Sequence, residues 1–578
     1  MTTRPCETGE FATWDQTRLF YRTWPAVKKG NRALILIHRG HEHSGRLQGL
    51  VDELDLPEFH AFSWDGRGHG NSPGKRGDAP DYSALVRDLD AFVRHIRDRH
   101  GIEMENIALV ANSVGAVTAA AWAHDYAPRI RSMVLAAPAF RIKLYIPFAI
   151  PALRLWQSLR KGAVISSYVK PRMLTHDPEQ VRAYQEDKLI TRDISVKILL
   201  GLHDTATRIL RDSGAIRVPT LVLSAGSDWV VKNTAQRRFF QSLSSAVKRM
   251  EYYPGFFHGV LYEKEREKPV RETRRFVLES FERPVELPSL READRGGYTR
   301  TEYDLLRQPA SLCRQIFFDA QRIGMCTAGR LSEGIRLGLR TGFDSGQSLD
   351  YVYENRPRGT TPLGKGIDYF YLNAVGWKGI RVRRQHLREL LEQVIEEQSK
   401  RHGKVRILDV ATGCGRYVLD VLEGLPREKV HALLRDWTPE NLEQGRALAD
   451  EMGLENVVFE QGDAFDREGL LALSPRPHSV IVSGLYELFP ENDLLRKSLE
   501  GIAGVLEDGG NLLYTCQPWH PQVELIARTL GNREGVPWIM RRRTQEEMDE
   551  LVAAAGLQKT DMLIDEYGIF TVSVARKG

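Results

Sequence analysis

Apolar residues fall in short runs separated by amphipathic stretches, and this rhythm occurs twice along the chain. Residues 33–37, 60–64, 107–111 and 133–137 are brief apolar runs of strand character. Between them, residues 82–97 place apolar side chains three and four apart, the period of a helix with one buried face. Strands alternating with helices predict a parallel sheet covered on both faces. Beyond Pro138 the rhythm breaks. Residues 142–156 are apolar and aromatic, interrupted by Pro147 and Pro151, and run into Arg160 and Lys161. Helical spacing follows to about 211, and strand-like runs resume at 220–224 and 249–253. The intervening segment, about 139–212, predicts a cap seated on the sheet.

Residues 283–345 have a third texture, rich in Arg and Gly, with Leu305, Leu306, Ile316, Phe317, Ile323, Leu331 and Ile335 at helical spacing. From about 384 the strand–helix rhythm returns, with strands expected at 406–410, 430–435, 457–459, 480–482, 511–515 and 570–575. A chain of 578 residues exceeds what one hydrophobic core holds. The pattern therefore predicts an α/β domain over 1–285, a linker with amphipathic helices over 286–345, and a second, doubly wound α/β domain over 346–578.

Charge changes this picture little. An excess of +5, from 81 basic against 76 acidic side chains, is too diluted to predict nucleic-acid binding. Arg300, Arg307, Arg314 and Arg322 share one helix face by their spacing, which reads as solvated arginines or as a membrane-facing stripe. Cys6, Cys313, Cys326, Cys414 and Cys516 lack CxxC spacing, so neither a disulfide framework nor a metal site is expected. The polar N-terminus and the lack of a long apolar run lead to an expected cytoplasmic location, with room for peripheral contact at the inner face of a membrane. Oligomeric state is left open.

The chemistry sits in the motifs. Ala111-Asn112-Ser113-Val114-Gly115 follows an apolar run and opens an Ala-rich helical pattern, the context of a nucleophile elbow. Asp228 and His258 each follow later strand-like runs. The order Ser, Asp, His suits a triad in which His258 takes the Ser113 proton and Asp228 fixes its tautomer. The segments His38-Arg39-Gly40-His41-Glu42-His43-Ser44-Gly45-Arg46 and Asp65-Gly66-Arg67-Gly68-His69-Gly70-Asn71-Ser72 resemble the monoacylglycerol lipase/lysophospholipase family over roughly residues 11–285. That resemblance implies an α/β-hydrolase fold with a helical cap, an acylglycerol- or lysophospholipid-like ester as substrate, and an oxyanion hole at Gly40 and Val114. Arg39 and His41 stand where the family usually has glycine. Arg39 reads either as a solvated loop residue or as a phosphate contact, and the second reading leans the substrate toward a lysophospholipid.

In the second half, residues 407–415 run from an apolar strand into a glycine-rich turn, with Ala411 replacing the usual first glycine. Asp436-Trp437-Thr438-Pro439-Glu440-Asn441 ends the next strand, and Asp463-Ala464 follows the third. Together these resemble class I S-adenosyl-L-methionine (SAM) dependent methyltransferases, implying a Rossmann-like fold and SAM as cofactor. By the resemblance the cofactor-binding residues are Asp409, Ala411, Gly413, Gly415, Asp436, Trp437, Asp463 and Ala464. Asp409 and Gly413 would lie near the methionine portion, Asp436 at the ribose, and Asp463 with Ala464 at the adenine. The wording of residues 486–493 and 517–521 is similar to methyltransferases found fused to such hydrolases.

No N-P-P-Y/F follows the fourth strand, which argues against methylation of nucleic-acid bases. Tyr486, Glu487 and His520 are the candidate acceptor residues, with His520 read as a general base or a capping histidine. The aromatic block 368–371, with Trp377, Arg381, Arg383 and Arg384, reads as core aromatics and a solvated basic helix in preference to a lid. The sequence thus predicts a serine ester hydrolase coupled to a methyltransferase with a lipid-related or other acceptor. The alternatives are a small-ester hydrolase with an unrelated methyltransferase, or one half serving as a binding module.

Overall fold

The computed structural model describes residues 3–578, which divide after Pro288 into two compact units. The first is built on β1 (Glu7–Ala12), β2 (Arg18–Trp24), β3 (Arg32–Ile37), β4 (Phe59–Trp64), β5 (Ile107–Asn112), β6 (Ser132–Ala136), β7 (Val164–Ser166), β8 (Asp193–Ser195), β9 (Thr220–Ala225) and β10 (Lys248–Tyr253). Eight of these form one sheet in the order β1-β2-β4-β3-β5-β6-β9-β10. β2 is antiparallel to both its neighbours and the remaining pairs are parallel. This is the α/β-hydrolase topology. Every residue of β5, β6 and β9 is buried, because helices cover both faces of a parallel sheet.

β1 and β2 escape the apolar pattern. They form an edge hairpin in which charged residues such as Glu7, Glu10, Arg18 and Arg22 alternate with buried ones. The helix Tyr82–His100 starts where the Asp81 side chain accepts from the Ala84 N–H, and stops at Gly101 in the left-handed region.

Between β6 and β9 the cap comprises the helix Ala149–Leu159, the antiparallel pair β7 and β8, and the helix Pro178–Glu186 that lies between those strands in the chain. The two strands have three residues each, too few to show a period. The helix Val196–Asp212 joins cap and body: Val196 and Leu200 pack with Ile150, Leu153 and Ile165 of the cap. Its Arg208 Nη2 donates to Asp125 at 2.8 Å, and Asp212 pairs with His124 at 2.6 Å.

The second unit is built on β11 (Val405–Asp409), β12 (Val430–Asp436), β13 (Val457–Gln461), β14 (Ser479–Val482), β15 (Asn511–Cys516), β16 (Leu557–Ile564) and β17 (Thr571–Lys577), in the order β13-β12-β11-β14-β15-β17-β16. The first five strands are parallel, and β17 runs antiparallel between β15 and β16. Successive residues of β11 face opposite layers. Ile407 packs with Leu387, Leu391 and Tyr417, while Leu408 packs with Val480, Leu499 and Leu551. This is a Rossmann-like arrangement. β16 has no apolar run: it carries Lys559 and Asp561, with a register shift between them.

Residues 286–345, expected as a linker with amphipathic helices, do carry helices, and from Ser289 onward they belong to this unit. Ile335 and Phe343 join a hydrophobic cluster with Trp377, Ile380 and Phe570, and polar anchors, which apolar periodicity does not reveal, add to them. Asp294 accepts from the Asn492 N–H at 2.8 Å, and Thr299 Oγ1 accepts from Arg541 Nη1 at 2.9 Å. Of the four arginines read as solvated or membrane-facing, Arg300 pairs with Asp304 and Arg314 with Glu524. Among the described residues, no helix is long and apolar enough to cross a membrane.

Candidate active sites

All functional side chains of the first unit follow the carboxyl ends of parallel strands. Ser113 sits between β5 and the helix Val114–Asp125 at φ 53°, ψ −110°, a strained conformation for a residue with a side chain. The turn closes only because position 115 is glycine. A Cβ there would lie 2.6 Å from Ile37 Cγ2 and 2.7 Å from the His38 carbonyl oxygen.

His258, beyond β10, receives the Ser113 hydroxyl on Nε2 at 2.7 Å. Its Nδ1–H donates to Asp228 Oδ2 at 2.8 Å. The other Asp228 oxygen accepts from the Val230 and Val231 N–H groups at 2.7 and 2.9 Å. Burial alone would raise the Asp228 carboxyl, but the imidazole and the backbone donors hold it below its ordinary value. Asp228 is thus kept ionised and fixed in direction.

Gly40 and Val114 face each other, since a Cβ on Gly40 would lie 3.1 Å from Val114 Cγ2. The loop that carries Gly40 is braced from two sides. His38 Nδ1–H donates to the Arg39 carbonyl at 2.7 Å, while its Nε2 accepts from the Gly66 N–H at 3.2 Å. Burial lowers the His38 pKa, in keeping with this neutral form.

Arg39 is not a solvated loop residue. It is buried, donates from Nε and Nη2 to Glu42 at 3.0 and 2.5 Å, and stacks 4.5 Å from the centre of the Tyr262 ring. Burial would raise the Glu42 carboxyl, yet Arg39 and then Arg46 bring it down to about 2. Nε and Nη2 are thus held within the loop, while Nη1 is buried with no hydrogen-bond partner. Arg39→Ala would leave Glu42 buried with only Arg46, a loss of about 3 kcal/mol. The expected result is a lower Tm and an equal fractional loss of hydrolysis on 1-oleoyl-lysophosphatidylcholine and 1-monooleoylglycerol. A selective loss on the phospholipid would favour the phosphate reading.

Ser113, His258, Gly40 and Val114 border a cavity of about 610 Å³ whose other walls are largely apolar, including Leu144, Ile146, Leu153, Ile165, Leu199 and Leu202. The cap also exposes apolar side chains outside this wall, with Phe148 84% and Leu159 79% exposed.

In the second unit, the turn after β11 carries Gly413 at φ 59° and Gly415 at φ 71°, so the backbone stays bare. A Cβ on Gly413 would meet nothing closer than Gly346 Cα at 4.0 Å, whereas one on Gly415 would lie 2.8 Å from Leu434. Asp436 braces the turn. Its Oδ2 accepts from the Gly413 N–H at 2.9 Å, and its Oδ1 accepts from Thr438 N–H at 2.9 Å and Asn441 Nδ2 at 3.0 Å.

A cavity of about 90 Å³ lies against Ala411, Gly413, Gly415 and Asp436. Of the other expected cofactor residues, Asp409 is sealed beneath the turn, accepting from the Tyr417 hydroxyl, and burial pushes its carboxyl up to about 7. Ala464 packs into the core, Asp463 accepts from the Phe465 N–H at 2.8 Å, and Trp437 is exposed; none borders this cavity. Sequence reasoning missed Asp344, Gly346, Leu349, Arg383 and Ser483–Leu485 in the wall. The first four come from helices and a loop well before the glycine turn, so no local signal marks them.

A second cavity, about 210 Å³, shares Asp344, Leu349, Arg383, Gly484 and Leu488 with the first. Glu487 and His520 border it, but Tyr486 does not. Tyr486 is a core residue whose hydroxyl donates to Ser498 at 2.9 Å, because its place in a tight turn after β14 directs the ring inward. His520 Nδ1 accepts from the Gln522 N–H at 3.0 Å. Burial lowers its pKa to about 4, so its one proton sits on Nε2 and it acts as a donor, not a base. Tyr371, Trp377 and Arg383 also form the wall, while Tyr369 and Phe370 point outward and Arg384 pairs with Asp420. The aromatic block therefore lines a cavity in part, where core packing was expected.

The chain belongs to the family described as "Putative methyltransferase", which matches residues 273–577. Residues 28–265 match the family described as "Serine aminopeptidase, S33". One polypeptide therefore joins an α/β-hydrolase domain to a methyltransferase domain. Over 570 residues it is 47% identical to the uncharacterized protein YnbC of Escherichia coli strain K12, covering 98% of this chain and 97% of that one. The hydrolase half is 24% identical over 258 residues to phospholipase YtpA of Bacillus subtilis, covering 44% of this chain and 98% of that one. It is also 24% identical over 251 residues to human monoglyceride lipase, covering 42% of this chain and 80% of that one. The crystal structure of Paleococcus ferrophilus monoacylglycerol lipase aligns at 23% identity with a TM-score of 0.41, over 48% of this chain and 99% of that one.

Proposed function

We propose that the chain is a bifunctional enzyme: residues up to 288 hydrolyse an acyl ester on a glycerol-type lipid, and residues 289–578 transfer a methyl group from SAM. The observation that carries the first half is the continuous Ser113–His258–Asp228 relay, at 2.7 and 2.8 Å, on the wall of an apolar cavity. In that geometry Ser113 Oγ attacks the ester carbonyl while His258 takes its proton and returns it to the leaving alcohol. Asp228 holds the imidazole in the Nδ1–H tautomer throughout. The Gly40 and Val114 N–H groups receive the oxyanion, each worth about 3–4 kcal/mol in such sites.

With the Arg39 charge paired to Glu42 through Nε and Nη2, a neutral monoacylglycerol is the substrate tested first, and a lysophospholipid, which the unpartnered Nη1 could meet, is the comparison. The names of the lipase and phospholipase relatives support a lipid ester in general. The experiment is fatty-acid release from 1-monooleoylglycerol by the full chain. Turnover only of short water-soluble esters would favour a small-ester hydrolase.

The exposed cap side chains suit contact with a lipid surface. Replacing Phe148 and Leu159 by serine is expected to cut hydrolysis of vesicle-borne monooleoylglycerol about tenfold, at ~0.7 kcal/mol or more for each removed contact. Cleavage of soluble 4-nitrophenyl butyrate should be unchanged. Equal effects on both substrates would place these side chains in the acyl pocket only.

For the second half, the residues present fit SAM. The bare turn at Gly413 and Gly415 admits a ligand close to the backbone, and Asp436 beside it keeps room on Oδ2 to accept a ribose hydroxyl. When bound, SAM supplies an electrophilic methyl group. Arg383 and Gly484 lie where the two cavities of this unit meet and would orient the acceptor toward that group.

A further inference from the structure

The 210 Å³ cavity holds an unusual set of idle polar atoms. Glu487 is buried, its Oε1 accepts from Arg383 Nη1 at 3.2 Å, and its Oε2 has no hydrogen-bond partner. Gln517 Nε2 and Arg383 Nε are likewise buried without partners. Buried polar atoms are ordinarily paired, so one acceptor and two donors on residues that line one cavity point to a ligand toward which these side chains turn when it binds. Around them the wall is aromatic: Tyr371, Trp377, Trp538 and Phe570. An engineered cavity of about 150 Å³ takes benzene, so this somewhat larger one takes a substituted ring.

We propose, building on the SAM-dependent reading above, that this cavity holds an apolar phenol and that Glu487 takes the phenolic proton as the oxygen is methylated. The acceptor oxygen bonds to the methyl carbon, and the carbon–sulfur bond of the sulfonium donor breaks with its electron pair remaining on sulfur. The proton passes to Glu487 and is later lost to solvent.

The other groups on the wall exclude competing roles. His520 carries its proton on Nε2 and cannot accept another at neutral pH. Asp344 is occupied by Arg533, through the backbone N–H at 2.7 Å and Nε at 3.1 Å. A carboxylate acceptor would meet Glu487, and an ammonium would meet the Arg383 guanidinium. Burial raises the Glu487 carboxyl against the pull of Arg383, which brings it nearer the proton affinity of a phenol, at about 10. An aliphatic alcohol, closer to water at about 15.7, is too weak an acid for a carboxylate.

The test uses the full chain. Without SAM, 4-propylphenol is expected to quench the fluorescence of Trp377 and Trp538, and more strongly than 4-propylbenzoic acid does. With methyl-labelled SAM, label should pass to 4-propylphenol, and not to 4-propylaniline, 4-propylbenzoic acid or 1-octanol. Glu487→Gln should bind both SAM and 4-propylphenol normally yet transfer about 100-fold more slowly. With 4-nitrophenol, largely ionised at pH 8, the variant should come within fivefold of the wild type, a rescue that a structural role would not give. Label on the aniline or benzoate instead, no label on any probe while SAM binds, or an unaffected Glu487→Gln would overturn the proposal. Failure of SAM to bind at all would instead overturn the cofactor reading itself.

Discussion

Ser113→Ala is expected to lower fatty-acid release from 1-monooleoylglycerol by ~10⁴–10⁶ and to leave SAM affinity unchanged. The magnitude follows from the relay acting as a unit: without Oγ, His258 has no nucleophile to activate, and only the oxyanion donors and the cavity remain. The variant should fold, because alanine at 113 inherits the same φ of 53° and loses only the 2.7 Å hydrogen bond to His258. Asp228→Asn should fall by about 10⁴ with an unchanged KM, since an amide cannot hold the same imidazole tautomer. Stopped-flow release of fatty acid, with Tm measured alongside, checks both. Substantial activity in Ser113→Ala would mean that another residue carries the chemistry.

Asp436→Ala is expected to weaken SAM binding by about 10³, the equivalent of two hydrogen bonds to a charged acceptor. Two effects combine in that number. The carboxylate would lose the ribose, and the Gly413 N–H would lose the 2.9 Å brace that shapes the turn. Asp436→Asn separates them, because a side-chain carbonyl can keep one contact to the turn. It should bind SAM between the alanine variant and the wild type. Hydrolysis should be unaffected in both. Titration calorimetry reads the affinities, and wild-type binding by Asp436→Ala would reduce Asp436 to a structural brace.

These residues were legible because their signals are local. Ser113 announces itself by an apolar run, a turn of small residues and a helix, all within a few positions, and β11 with its glycine turn does the same. Strands buried on both faces are apolar runs, so β3, β5, β6 and β9 were visible, whereas the half-exposed β1, β2 and β16 were not. Arg39 illustrates the opposite case. The sequence shows a cation beside the oxyanion loop, but only the fold shows that Glu42, three residues on, absorbs it.

The acceptor cavity was the least legible part, since its wall draws on segments from Gln321 to Phe570 brought together by packing. Glu487 could be placed at a strand end. That its Oε2 lacks a partner, and that neighbouring Tyr486 turns into the core, could not.

The central claim, two independent active sites on one chain, is tested most directly by native mass spectrometry of the full-length protein treated with a fluorophosphonate and then with SAM. The account predicts one phosphonyl group on Ser113 and one bound SAM in the same molecule, with Ser113→Ala losing only the first and Asp436→Ala only the second. Absence of either mass shift from the wild type, or a phosphonyl group that persists in Ser113→Ala, would contradict it.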